Sequence, residues 1–229
     1  MGSACPFDRL AFSRGIIRER AVRSPGETKT GSKARLLLHI CCAPCSTHVI
    51  DILQDEFDIT AFFYNPNIYP PKEHVLRAQE AQRFCRRLGI EIFTDEYDPS
   101  NWLRRMRGRR LDREGGPHCA VCFWIRLART AAVAEEEGFD YFATTLTVSP
   151  HKDAEMINRM GQRAARGRKT EFYPADFKKK DGFKKSCRLS QKYDLYRQDY
   201  CGCVYSLEER NGRKIGVSGP LKTEPRRWR

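Results

Sequence analysis

No stretch of the 229 residues approaches the ~18–20 consecutive apolar side chains of a membrane span, which argues against an integral membrane protein. The opening MGSACPFDRLAFSRG lacks an apolar block of signal-peptide length, and Pro6 stands where a myristoylation motif after Gly2 needs Ser or Thr. The expectation is a cytoplasmic protein with no membrane partner. Internal repeats and low-complexity tracts are missing. So are Gly-x-Gly-x-x-Gly and Walker motifs, so ATP use is not expected. Acidic residues are comparatively scarce, 29 against 42 Lys and Arg, for a net charge of +13. Apolar residues make up 40%, which suffices for a core and excludes wholesale disorder.

The charge is concentrated at the ends. Residues 1–35 carry +5, residues 208–229 carry +4, and the 172 residues between them carry only +4. Residues 1–35 read as a flexible basic extension and 208–229 as a basic tail, both disordered, flanking one domain over 36–207. Basic tails suit a polyanion such as RNA or DNA, and they suit plain solubilisation equally.

Between the tails, short apolar runs alternate with helical stretches. Leu36–Ile40, Ile59–Tyr64, Ile90–Phe93 and Asp140–Leu146 read as strands. Helices are expected from Ser46 or Thr47 to Gln54, from Pro70-Pro71 to Leu88 before Gly89, from Trp102 onward, from Cys119 to Glu137, from Lys152 to Arg166, and from Ser190 to Arg197. This alternation predicts an α/β fold with a largely parallel sheet, whose ligands bind beyond the strands' carboxyl ends.

Ten cysteines are many for a chain expected in a reducing compartment, where clustered thiols signal metal ligation or redox chemistry. His39-Ile40-Cys41-Cys42-Ala43-Pro44-Cys45 places three thiols on one loop, and Cys42 and Cys45 have Cys-x-x-Cys spacing at a helix start, where the dipole favours thiolate. Cys119-Ala120-Val121-Cys122 repeats that spacing, and positions i and i+3 share a helix face. Two such pairs can build a four-sulfur site for zinc or for an iron–sulfur cluster, and spacing does not separate the two. Cys201-Gly202-Cys203 can close a small, strained, redox-active disulfide, or can ligate a metal. Cys85 reads as core; Cys5 and Cys187 receive no role.

The segments LLLHICCAPCS, FFYNPNIYPPKE, HCAVCFWIRLARTA, GFDYFATTLTVSPHKD and LSQKYDLYRQDYCGCVYS together resemble the cobalamin-independent epoxyqueuosine reductases, the QueH family. The resemblance covers about Leu36 to Leu207. It implies a Rossmann-like fold akin to nucleotide α-hydrolase enzymes. It also implies two-electron reductive deoxygenation of epoxyqueuosine at the tRNA wobble position to queuosine, the last step in making that base. The implied cofactor is a [4Fe–4S] cluster held by Cys41, Cys42, Cys119 and Cys122, and the implied redox pair is Cys201 and Cys203. Cys45 is left for a second metal ion or for the thiol chemistry. An external electron donor is required to reopen the disulfide.

Removing an epoxide oxygen to leave an alkene takes two electrons and two protons. His39, His118, Asp153 and Tyr200 are the candidate proton donors, each with an alternative structural role. For RNA contact the candidates are Arg104, Arg105, Arg107, Arg109, Arg110 and Arg113, and Lys178, Lys179, Lys180, Lys184 and Lys185 interleaved with Phe177 and Phe183. The competing functions are a tRNA sulfur transferase, a thiol–disulfide oxidoreductase, and a zinc-stabilised nucleic-acid-binding module.

Overall fold

A computed structural model describes residues 15–19, 33–109, 112 and 114–212. Most of both basic ends, together with Cys5, Arg110 and Arg113, lies outside the described residues. The strands are β1 (Ile17–Glu19), β2 (Ala34–His39), β3 (Phe57–Phe63), β4 (Ile92–Thr94), β5 (Tyr141–Thr144) and β6 (Glu171–Phe172). The α-helices are α1 (Ala43–Leu53), α2 (Pro71–Leu88), α3 (Pro99–Arg105), α4 (Pro117–Glu136), α5 (Ala154–Ala165), α6 (Gly182–Lys192) and α7 (Val204–Arg210), with a 3-10 turn at Thr145–Val148.

One six-stranded sheet runs in the order β1-β4-β3-β2-β5-β6. Every pairing is parallel except β1 with β4. This is the Rossmann-like α/β architecture that the alternation predicts. Because side chains alternate across a strand, Leu36 and Leu38 enter one core with Phe63, Val49 and Phe84, while Leu37 enters the other with Phe62, Phe142 and Ile125. Helices cover both faces, which is why the central strands read as continuous apolar runs.

The structure differs from the sequence reading at several places, among them strand β6, where no strand is expected. Residues 17–19, placed in a flexible extension, pair with β4 at the sheet edge. Helix α1 starts at Ala43, its N-cap is Cys42, and neither Ser46 nor Thr47 caps it; their hydroxyls bond back to Ala43 O and Pro44 O. Of the helix expected over Ser190–Arg197 only Ser190–Lys192 is helical, as the end of α6, which starts at Gly182 and stops at Lys192. Helix α7 continues past Leu207 to Arg210.

Strand β2 connects onward to β3 on one side and its other neighbour β5 connects onward to β6 on the opposite side, so the chain leaves these two adjacent carboxyl ends in opposite directions. Such a switch point opens a crevice beyond the strands. Here it receives Cys41, whose backbone N–H donates to Thr145 Oγ1 at 3.4 Å.

Helix α2 carries a buried histidine with a consequence for acid stability. His74 stacks on Tyr97 at 4.0 Å and meets Phe63 edge-on at 5.3 Å. Burial, reinforced by the Arg77 charge, lowers its pKa from 6.5 to about 4. Its neutral form therefore supports the fold fully above pH 6.5, and that support is lost as pH falls toward 4. Across this window the group is expected to remove about 1.4 kcal/mol of unfolding free energy per pH unit. His74→Phe should flatten the pH–stability curve there by that slope; an unchanged curve would refute it.

Candidate active site

The loop after β2 and the start of α1 bring three sulfurs together. Those of Cys41, Cys42 and Cys45 lie within 4.8 Å of one another. Cys42 and Cys45 are 2.6 Å apart, and Cys41 and Cys42 are 3.8 Å apart. Pro44 stands in the first turn of α1 and Cys42 has extended backbone; Cys41 and Cys45 line the adjoining cavity, and Cys42 does not. Hydrogen bonds from Cys42 and Cys45 hold the Cys41 thiol well below its ordinary value, whereas burial pushes Cys42 up to about 12 and the Cys41 interaction pushes Cys45 up. The three thiols titrate as one coupled group. Gln198 donates to Cys42 Sγ at 3.0 Å.

Cys119 and Cys122 sit in the first turns of α4, both buried. Gly115 N–H donates to Cys119 Sγ at 3.2 Å, and burial raises that thiol to about 12. Arg126, also on α4 and 1% exposed, interacts electrostatically with sulfurs of both groups. Burial alone would lower its guanidinium; the sulfurs of Cys122, Cys201, Cys41 and Cys119 outweigh that and raise it. Its Nη1 donates to Asn65 Oδ1 at 3.2 Å, but Nε and Nη2 have no hydrogen-bond partner among the described residues. A buried cation left uncompensated is costly, so the position calls for an anionic neighbour. Cysteine thiolates closing on iron supply one. Among the described residues Cys41, Cys42 and Cys45 gather within ligand distance of one another, and Cys119 and Cys122 stand outside that group. The thiol donors of the trio and this orphaned guanidinium suit a cysteine-bound iron–sulfur centre.

Beside the sulfurs opens a cavity of about 440 Å³, lined among others by Cys41, Cys45, Lys152, Phe183, Arg197 and Cys201. That volume falls in the ~300–1,000 Å³ range of small-molecule sites. Cys201 lines it and Cys203 does not. Cys203 is buried, accepts from Ser206 N–H at 3.5 Å, and is pushed up by burial and by Cys201. Both carry free thiols. Gly202 between them has φ +130, and a Cβ there would stand 3.0 Å from Arg77 Nη1 and 3.2 Å from Ile68. Both its backbone angle and the close approach require glycine.

Arg77 fixes this loop. Its side chain is buried and bonds Glu73 at 2.7 Å, Cys201 O at 3.0 Å and Tyr200 O at 3.5 Å, with the Tyr200 ring 5.0 Å from its guanidinium. Gly202 O in turn accepts from Tyr69 N–H at 2.8 Å, next to the cis Tyr69–Pro70 bond.

The four candidate proton donors are differently occupied. His39 is fully buried between Thr144 Oγ1 at 2.9 Å and Tyr64 O at 3.2 Å, and burial and the Arg126 charge lower it to about 3. Tyr64 O can only accept, so Nε2 carries the proton and Nδ1 accepts from Thr144. This neutral ring ties β2 to β3 and β5. His118 Nε2 lies 3.3 Å from Cys119 Sγ, an orienting position. Asp153 caps α5 through Glu155 and Met156 N–H. Tyr200 donates to Tyr69 O at 2.6 Å. Lys152 is a cation on the cavity wall, with Arg197 and Arg210: burial would lower its ammonium, yet the sulfurs of Cys201, Cys41 and Cys45 raise it. Sequence reasoning passed over Lys152, Arg126 and Arg77 because a basic residue on a helix or loop ordinarily signals solvent. The clue available was Lys152 beside Ser149-Pro150 and the strand end. Arg104, Arg105, Arg107 and Arg109 do not line the cavity; of the lysine-rich segment, Phe183 does.

Comparison with known proteins agrees with this picture. The family model described as Epoxyqueuosine reductase QueH matches residues 36–209. An epoxyqueuosine reductase QueH of Streptococcus pyogenes is 41% identical over 186 residues, covering 79% of this chain and 73% of that protein. One from Haemophilus influenzae is 39% identical over 198 residues, covering 86% and 78%. Among solved structures, a U34-tRNA thiolase NcsA from Methanococcus maripaludis with its [4Fe-4S] cluster overlaps with a TM-score of 0.48 at 15% identity, over 73% of this chain and 59% of that one, too distant a likeness to bear on function. No helix among the described residues is long and apolar enough to cross a membrane. On the family match and these identities, the chain belongs to the QueH family of oxidoreductases, the epoxyqueuosine reductases.

Proposed function

We propose that this chain reduces the epoxide of epoxyqueuosine at the wobble position of tRNA to the alkene of queuosine, with Cys201 and Cys203 as the electron source. The observation that carries this reading is one thiol of a Cys-x-Cys pair facing a cavity it shares with a buried sulfur group. The reaction balances on the pair alone: both C–O bonds break, the alkene forms, the oxygen leaves as water with two protons, and two thiols become one disulfide. Cys201 faces substrate, and Cys203 closes the disulfide. Lys152 places positive charge where the oxygen gains electron density. Arg77 and Gly202 hold the loop, and Tyr200 walls the cavity. An external thiol or dithionite-class reductant then reopens the disulfide. In this reading Cys41, Cys42, Cys119 and Cys122 hold a [4Fe–4S] cluster, and Cys45, close to two of them, stands ready for a second metal ion or for the thiol chemistry. When bound, such a cluster supplies one-electron transfer and a Lewis-acidic iron.

The test is anaerobic purification with a visible spectrum, iron and sulfide assays, and turnover of epoxyqueuosine-bearing tRNA. Expected are broad absorbance near ~400 nm, about four irons and four sulfides per chain, and formation of queuosine. A colourless zinc protein that leaves the tRNA unchanged after iron–sulfur reconstitution would overturn the reading in favour of a zinc-stabilised RNA-binding module.

A further inference from the structure

Phe183 and Arg197 stack on each other, the guanidinium carbon 5.0 Å from the ring centre, and both line the cavity that holds Cys201. Each is half-buried, neither sealed in the core nor fully in solvent. The core does not account for Phe183. The aromatic that fills the core at this turn is Phe177, 7% exposed. The backbone between the two is held against its preferences. Lys180 and Asp181 have φ of 52 and 61, left-handed at two consecutive non-glycine residues. At Gly182 an added Cβ would stand 1.8 Å from Phe177 O, so only glycine fits. Strained backbone of this kind concentrates at functional sites. Its result here is an aromatic ring set in the first turn of α6 against the cavity, with exposed Lys184 and Lys185 following it.

A flat, partly exposed pair of ring and guanidinium beside a reactive thiol is suited to a flat heterocycle. Enzymes that act on a base of a folded nucleic acid draw it out and hold it by stacking on aromatic rings and Arg planes. We propose that Phe183 and Arg197 form the stacking platform that receives the modified base when it leaves the anticodon loop, positioning its epoxide toward Cys201. This rests on the reading of the cavity as the epoxyqueuosine site. The platform acts through π contact rather than through charge, which separates it from a phosphate clamp.

The experiment compares binding and turnover of anticodon stem-loops bearing epoxyqueuosine or guanine at the wobble position. Stacking losses by alanine substitution lead to an expected rise of roughly 10–100-fold in KM for Phe183→Ala, with kcat at saturation, melting temperature and visible absorbance held near wild type. Phe183→Tyr should restore KM. Arg197→Lys keeps the charge and loses the plane, so it should rescue poorly. The salt dependence of binding should keep its slope in Phe183→Ala, since no phosphate contact is lost. An unchanged KM, or full activity of Arg197→Lys, would overturn the platform, the second in favour of a phosphate contact. If wild type turns over no substrate, the functional reading fails separately. Binding then still decides: Phe183→Ala must bind the modified stem-loop roughly 10–100-fold more weakly than wild type, and equal affinity overturns the platform.

Discussion

Cys201→Ser is expected to lower turnover of epoxyqueuosine-bearing tRNA by on the order of 10³-fold or more, as loss of a reacting group typically does, while absorbance near ~400 nm persists. Two features of the loop carry the expectation. Cys201 is the member of the pair that lines the cavity, and Cys203 is buried against Ser206. A serine hydroxyl matches the thiol in shape but cannot close a disulfide, so the two electrons are no longer available from the pair. In wild type, one round of turnover without added reductant should leave Cys201 and Cys203 disulfide-linked, readable by mass spectrometry after alkylation. Cys203→Ser should lose that product too. Full turnover by Cys201→Ser with dithionite and with thiols would remove the pair from the reaction. Loss of the visible absorbance in the same variant would place Cys201 in the metal-binding set instead.

Arg77→Met should cost about 3–5 kcal/mol of stability, the usual result of removing one partner of a buried pair. At about 2–4 °C per kcal/mol for a chain of this size, the melting temperature falls by roughly 6–20 °C. The loss is large because Glu73, 5% exposed, keeps its charge with, among the described residues, the Tyr196 hydroxyl as its remaining side-chain partner, at 3.1 and 3.2 Å from its two oxygens. Neutralising that carboxylate as well, in Glu73→Gln with Arg77→Met, should recover part of the loss and show strong coupling in a double-mutant cycle. A second effect is independent of stability. The Cys201 and Tyr200 carbonyls lose their donor, so turnover should fall even at temperatures where the variant is fully folded. A melting temperature within about 1 °C of wild type would contradict the role of the pair, since a loss near 0.5 kcal/mol is what an exposed bridge gives.

The sheet and the sulfurs were legible in the sequence for physical reasons. Buried parallel strands are short apolar runs, so Leu36–Ile40 and Ile59–Tyr64 stood out. Cysteines in three motifs have few uses in a reducing setting. What was hidden involved residues whose usual preference was overridden by tertiary contacts. Strand β1 is Ile17-Arg18-Glu19, polar enough to pass for tail, and it becomes a strand only because β4 offers an edge. The start of α6 was masked because Lys180 and Asp181 adopt left-handed backbone that their side chains disfavour, and a lysine run hides the helical period. Arg77 and Arg126 sit on helices where arginine ordinarily faces water, and only the assembled fold reveals that both are buried. The trio Cys41, Cys42 and Cys45 shows how far spacing reaches: it marks Cys42 with Cys45, the resemblance marks Cys41 with Cys42, and in the structure all three are neighbours.

The order of the strands also bears on how the molecule behaves in a crowded solution. Its inner strands β2 and β3 are six and seven residues long, yet the sheet ends in β1 and β6, of three and two residues. An open edge is a template on which another chain can add a strand, and brevity and charge are two ways of denying it. Here β1 brings Arg18 and Glu19, and β6 brings Glu171. A sheet whose middle is almost wholly apolar therefore presents little uncharged main chain to a neighbour at either margin. Resistance to aggregation through strand addition is built into the taper of the sheet itself, whatever the basic ends contribute.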